Sequence, residues 1–208
     1  MFYFKIFIII IVCFLFLFTI TNEGFVSSND EIVNNLEDIK LYVLNEDRYP
    51  KYYYLLRKEL NDIGISCIRI RLGSSADYQR SLLYSNLVAF RKHNMTKNPT
   101  EWFIIMEDSV NSLPTNFLEI VYDLMKKRQA FVYYLDSRNS PSDKMPANYT
   151  GCMLYHASII SKVLDECDKG IKDAFINKVE YKYWWKYIDK LFKYLNIRTA
   201  RYGFINCS

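Results

Sequence analysis

Short apolar runs alternate along this chain with longer segments in which apolar residues recur at every third or fourth position. Lys40–Leu44, Cys67–Ile70, Trp102–Met106, Ala130–Leu135 and Gly151–Tyr155 read as strands, with Ile197–Tyr202 as a final edge strand. Between them, Lys51–Ile63, Asp77–His93, Pro114–Arg128, Ala157–Glu166 and Tyr181–Leu195 carry helical spacing. Pro50 suits the first turn of a helix and Gly64 a left-handed cap, while Lys126, Lys127 and Arg128 suit the negative end of a helix dipole. His93, ending another helix, reads as a cap of the same kind. Strands alternating with helices predict a single α/β domain with a mostly parallel sheet.

A different pattern occupies the N-terminus, where Phe2 to Ile20 is apolar apart from Lys5 and Thr19. That is just long enough for a bilayer core, which needs roughly 20 helical residues. Residues 1–22 therefore read as a signal anchor, with a cleaved signal peptide and a secreted product as the alternative. Lys5 ahead of the run places the N-terminus in the cytoplasm, and everything beyond about Thr21 in the lumen or outside the cell. Ser28-Asn29-Asp30-Glu31 resembles a capping box in a stem over residues 23–39, leaving 40–208 for the globular domain. Asn94-Met95-Thr96, Asn148-Tyr149-Thr150 and Asn206-Cys207-Ser208 are N-glycosylation acceptors that agree with the lumenal side.

Composition narrows the class. The 208 residues suffice for one substantial core, and with half of them hydrophobic and few Gly or Pro the chain is neither disordered nor fibrous. The net charge is +4, with short basic clusters at Arg69–Arg71 and Lys126–Arg128 that read as solvated faces. No long basic stripe is present, so no nucleic-acid partner is expected. Cys13 belongs to the apolar run, while Cys67, Cys152, Cys167 and Cys207 are open to pairing in an oxidising lumen or to burial as thiols. Neither histidine lies near a cysteine at zinc-finger spacing.

The candidate chemistry sits where the most apolar strand stops. Trp102–Met106 reads as a strand covered on both faces, and it ends abruptly at Glu107-Asp108-Ser109. In open α/β sheets ligands bind outside the carboxyl ends of the strands. Carboxylates there suit a hard divalent cation, Mn²⁺ or Mg²⁺, bridging to the phosphates of a nucleotide. Asp136 also ends a strand and is a further candidate carboxylate. The stretch Ser137–Thr150, with two prolines and little hydrophobicity, is long enough to be a functional loop.

Several of these segments, taken together, resemble glycosyltransferase family 25, the lipopolysaccharide and collagen galactosyltransferase type. Leu41-Tyr-Val-Leu-Asn45-Glu46-Asp47-Arg48 is similar to that family's opening strand and Asn-x-Asp-Arg motif, and Ile104-Ile-Met-Glu107-Asp108-Ser109-Val110 looks like its Glu-Asp-Asp-Val segment. Gly151–Tyr155 and Ala157–Leu164 look like its later strand and helix. The resemblance implies a GT-A-like, Rossmann-like domain that transfers a sugar from a nucleotide-sugar donor to a glycan, protein or lipid acceptor. It implies that Asp108 contacts the cation with Ser109 as a weaker partner, that Glu107 orients the site, and that Asn45, Asp47 and Arg48 form part of the donor site. Ser109 stands where the family has a second Asp, and Ser85-Asn86 where it has Ser-His. These departures support an alternative, a catalytically inactive, membrane-anchored binding module that keeps the fold. No catalytic base is evident; Asp189 and His156 read as helix-surface or cap residues.

Overall fold

The computed structural model describes residues 39–46, 49–72, 78–97, 99–138, 151–177 and 188–207. The N-terminal apolar run, the stem up to residue 38, Asp47, Arg48 and the Ser137–Thr150 loop beyond Arg138 lie outside them, as does the aromatic stretch 181–187. Among the described residues no helix is long and apolar enough to cross a membrane. The chain divides into two compact units, Met1–Asn35 and Leu36–Ser208, and the described residues all belong to the second.

The elements in order are β1 (Lys40–Glu46), α1 (Pro50–Asp62), β2 (Cys67–Leu72), α2 (Tyr78–Asn94), β3 (Trp102–Glu107) and β4 (Val110–Ser112). They continue with α3 (Phe117–Lys127), β5 (Val132–Asp136), β6 (Cys152–His156), α4 (Ile160–Asn177), α5 (Ile188–Tyr194) and β7 (Thr199–Cys207). The strands form one sheet in the order β2-β1-β3-β6-β5-β7-β4. Strand β1 runs parallel to β2 and β3, β6 runs against both β3 and β5, β7 is parallel to β5, and β4 is antiparallel to β7. The sheet is therefore mixed, although β1, β2, β3, β5 and β7 all point the same way.

Alternation along the strands builds two cores. Tyr42, Leu44, Phe103, Ile105, Tyr134 and Tyr155 face α2, α4 and α5, where Phe90, Val163 and Phe192 meet them. Leu41, Val43, Trp102, Ile104, Met106 and Leu135 face α1 and α3, where Leu56, Leu60, Val121 and Leu124 meet them. Coverage on both faces explains why β3 has no polar position before Glu107, since every side chain of the strand is buried.

The helix ends follow their residue types. Gly64 adopts a φ of 82°, while Ile65 N donates to Leu60 O and Gly64 N to Asn61 O, the paired bonds of a Schellman cap on α1. Pro114 differs from its expected place: it lies in a turn whose carbonyl accepts from Phe117 N at 2.9 Å, and the helix starts at Phe117. His93 also differs. It is buried, its Nε2 donates to Thr100 O at 2.9 Å, its Nδ1 accepts from Tyr42 hydroxyl at 3.2 Å, and its ring stacks on Phe103. Burial lowers its pKa, so the neutral ring ties α2 to β1 and β3 instead of facing the dipole as a cation.

Candidate active site

The five codirectional strands bring their carboxyl ends to one edge of the sheet. Asn45 of β1, Glu107 of β3, Asp136 of β5 and Cys207 of β7 meet there, with Gly151 at the start of the reversed β6. The turn after β3 is pinned by backbone bonds, Glu107 N to Gly151 O at 2.8 Å and Asp108 N to Leu44 O at 3.0 Å. Successive residues of a strand project to opposite faces. The adjacent carboxylates of Glu107 and Asp108 accordingly enter two different clusters.

On the α1 side, the buried Asn45 amide donates to the Asp108 carboxylate and to Tyr49 O, and its Oδ1 accepts from Arg69 Nε at 2.8 Å and from Arg69 Nη2. The Arg69 guanidinium lies 5.0 Å from the centroid of the Tyr53 ring, so this arginine is half-buried and held, not part of a solvated face. Asp108 remains partly exposed at the mouth of the cluster.

On the other side, Asp136 is fully buried and is gripped by Arg138. The Arg138 backbone N donates to Asp136 Oδ1 at 2.9 Å, Nε to Oδ1 at 3.0 Å and to Oδ2 at 3.2 Å, and Nη2 to Oδ2 at 2.7 Å. The hydrogen bonds that Arg138 donates to Asp136, with the charges of Asp136, Cys207 and Glu107, hold the guanidinium pKa up against burial. Burial and the negative field of Asp136 push the Cys207 thiol to about 12, and burial pushes the Cys152 thiol well up. Space is tight. A Cβ on Gly151 would stand 2.5 Å from Asp136 Oδ2, 2.8 Å from Cys207 Sγ and 2.9 Å from Arg138 Nη2.

Asn45, Glu107, Asp108, Ser109 and Asp136 thus lie at the expected edge, whereas Asp47 and Arg48 fall outside the described residues. His156 lies at the opposite edge, paired with Trp102 at the start of β3, where its side chain caps the turn at Ser158 and meets Glu101. The Asp189 side chain is not among those described. Arg69 and Arg138 were missed as site residues. Arg69 alternates with Ile68 and Ile70 and carries no signal of its own, whereas Asp136-Ser137-Arg138 is an Asp-x-Arg triplet at a strand end.

The described residues alone do not assemble a divalent-cation site around the paired carboxylates, and Asp47 lies outside them. Among the described residues no three His, Cys, Asp or Glu side chains converge on one point. Asp108 is engaged by Asn45, Asp136 already has a guanidinium against both its oxygens, and Ser109 offers a hydroxyl in place of a carboxylate.

Among solved structures, a glycosyltransferase involved in the glycosylation of the major capsid of PBCV-1 matches 78% of this chain and 80% of its own, with a TM-score of 0.51 at 13% identity. The chain shares the overall fold of that glycosyltransferase. Weaker likenesses are to the glycosyltransferase GlyE of Streptococcus pneumoniae TIGR4 (TM-score 0.44, 10% identity, 79% of this chain and 45% of that one). Another is to a Drosophila β-1,4-galactosyltransferase 7 mutant solved with manganese, UDP-Gal and xylobiose (TM-score 0.42, 9% identity, 78% and 64%). No protein-family model matches the chain, and no curated protein does.

Proposed function

We propose that this protein transfers a sugar from a nucleotide-sugar donor to a glycan, protein or lipid acceptor, as a divergent relative of glycosyltransferase family 25. Phe2–Ile20 would hold it in a membrane as a single-pass anchor, with residues 40–208 on the lumenal or outer side. The observation that carries the reading is the convergence of Asn45, Glu107, Asp108, Asp136 and Arg138 at the carboxyl edge of five codirectional strands, within a glycosyltransferase fold. The leaving nucleoside diphosphate gains negative charge as the glycosidic bond breaks, and fixed positive charge at that edge favours its departure. Asp108, aimed by the Asn45 amide, accepts hydrogen bonds from donor hydroxyls. Glu107 orients the groups around it, and Asp47 and Arg48 complete the donor site in the loop after Asn45.

The test is nucleoside diphosphate release from UDP- and GDP-sugars by the detergent-purified full chain, with and without Mn²⁺. Turnover of one donor is expected, falling by about 100-fold in Asp108→Asn, the scale at which a single electrostatic contact to a reacting group counts. Ser109 and the engagement of Asp108 by Asn45 favour the second reading, a binding module that has lost catalysis. It predicts that a nucleotide sugar raises thermal stability without any diphosphate being released.

A further inference from the structure

We propose that Arg138 binds the donor's diphosphate and supplies the positive charge that the sequence pattern assigns to a divalent cation. The inference rests on the transferase reading above, and it goes beyond it by naming the group that holds the phosphates. Arg138 lies two residues past the end of β5, at the edge where the strand ends meet, and within the field of Glu107. Its charge is fixed in place: the backbone N, Nε and Nη2 all donate to the buried Asp136 carboxylate, while about a third of the side chain (32%) remains open to solvent. An arginine anchored in this way has already lost the side-chain freedom that phosphate binding would otherwise remove. Of the five N–H donors of the planar guanidinium, those on Nε and Nη2 meet Asp136, and the Nη1 edge turns away from that carboxylate toward a phosphate.

Charge balance points the same way. Three carboxylates alone, Glu107, Asp108 and Asp136, would repel a diphosphate and require a metal to bind it. Arg138 against Asp136, and Arg69 behind Asn45 next to Asp108, offset part of that repulsion. The space is committed as well, because the absence of a side chain at Gly151 is what lets Asp136, Arg138 and Cys207 close together. Asp136 is then a positioning residue, acting through Arg138.

Calorimetric titration of the full chain with UDP, GDP and ADP, first in EDTA and then with Mn²⁺, tests this. One nucleotide binds in EDTA, and Mn²⁺ leaves its Kd unchanged. Arg138→Met weakens it by at least about tenfold, the loss expected for a charge-assisted hydrogen bond. Arg138→Lys recovers part of the affinity as a point charge without the fork. If Arg138→Met fails to fold because Asp136 is left buried and charged, Asp136→Asn with Arg138→Met removes both charges and shows the same loss. Binding that requires Mn²⁺, or that survives Arg138→Met in a folded sample, overturns the role of Arg138 and leaves the transferase reading standing. Absence of binding by any nucleotide under either condition overturns both.

Discussion

His93 is the residue whose environment departs furthest from its sequence context. At the end of α2 it follows Arg91 and Lys92, and a charged cap is the natural reading. The ring is instead buried between Tyr42 and Phe103, with both nitrogens in hydrogen bonds that use the neutral tautomer protonated at Nε2. Burial lowers its pKa from the ordinary 6.5. Between that lowered value and 6.5 the unfolded chain binds a proton that the folded chain refuses, so stability rises with pH across the window. The contribution is fully present above 6.5 and is lost as pH falls through the folded value. Thermal unfolding of the wild type is expected to weaken from pH 7 to 5 more steeply than that of His93→Gln, by up to about 1.4 kcal/mol per pH unit. Parallel profiles would show that the ring takes up its proton without penalty. A helix-end position gave the right element and the wrong chemistry here, because what surrounds the ring comes from β1 and β3, far away in sequence. Glu107, Asp108, Asn45 and Asp136 were legible for the opposite reason: each is a polar residue that ends an apolar strand, so its location follows from the strand alone. Arg69, the partner of Asn45, required knowledge that β1 and β2 lie side by side, whereas Arg138 stands only two residues from Asp136 and was within reach of the sequence.

At the scale of elements, most strands and helices follow from spacing to within a few residues, but α4 runs on from the expected Glu166 to Asn177 and β7 from the expected Tyr202 to Cys207. Two features escaped. β4 has three residues, Val110–Ser112, too few to show alternation, and it exists because β7 extends far enough for Cys207 to pair with Val110. The reversal of β6 is also invisible in its own residues, although the stretch before it held a clue. A parallel return needs a crossover of a dozen or more residues, usually a helix, and Ser137–Thr150 has no helical spacing. A prediction arises where α3 ends. Arg128 caps it with φ at 46°, a left-handed conformation that costs a residue with a Cβ roughly 1–2 kcal/mol. Its ion pair with Glu101 is exposed and contributes about 0–1 kcal/mol. Glycine removes the strain and restores roughly 0.5–1 kcal/mol of chain entropy to the unfolded state. Relief of strain exceeds the sum of these losses only narrowly, so Arg128→Gly is expected to raise stability by less than about 1 kcal/mol, read as a denaturation midpoint shift at constant slope. A large fall would mean that the Glu101 pair matters more than its exposure implies.

For the whole molecule, the two cores on either face of one sheet make Leu36–Ser208 a compact unit in its own right. The two helix layers pack on opposite faces of the same strands β1, β3 and β5, so loss of either layer removes half of the burial that holds those strands together. A fragment of residues 36–208 is therefore expected to fold without the N-terminal run and to unfold in one cooperative step. Its cysteines report on this packing. Whether the four would pair or stay as thiols was open from their spacing, and the structure keeps Cys67, Cys152, Cys167 and Cys207 as thiols, two of them fully buried. Burial also raises the pKa of Cys67, Cys152 and Cys207, that of Cys207 to about 12, so little of the reactive thiolate form exists near neutral pH. Ellman's reagent should find four thiols per fragment in denaturant, and should react with them slowly in the folded protein, at a rate that rises sharply across the unfolding transition. Fewer than four in denaturant would reveal a disulfide and a different arrangement of β6 and β7. Fast reaction in the folded protein at Cys152 or Cys167 would mean that a face of the sheet opens on its own, so that the two cores are not one cooperative unit.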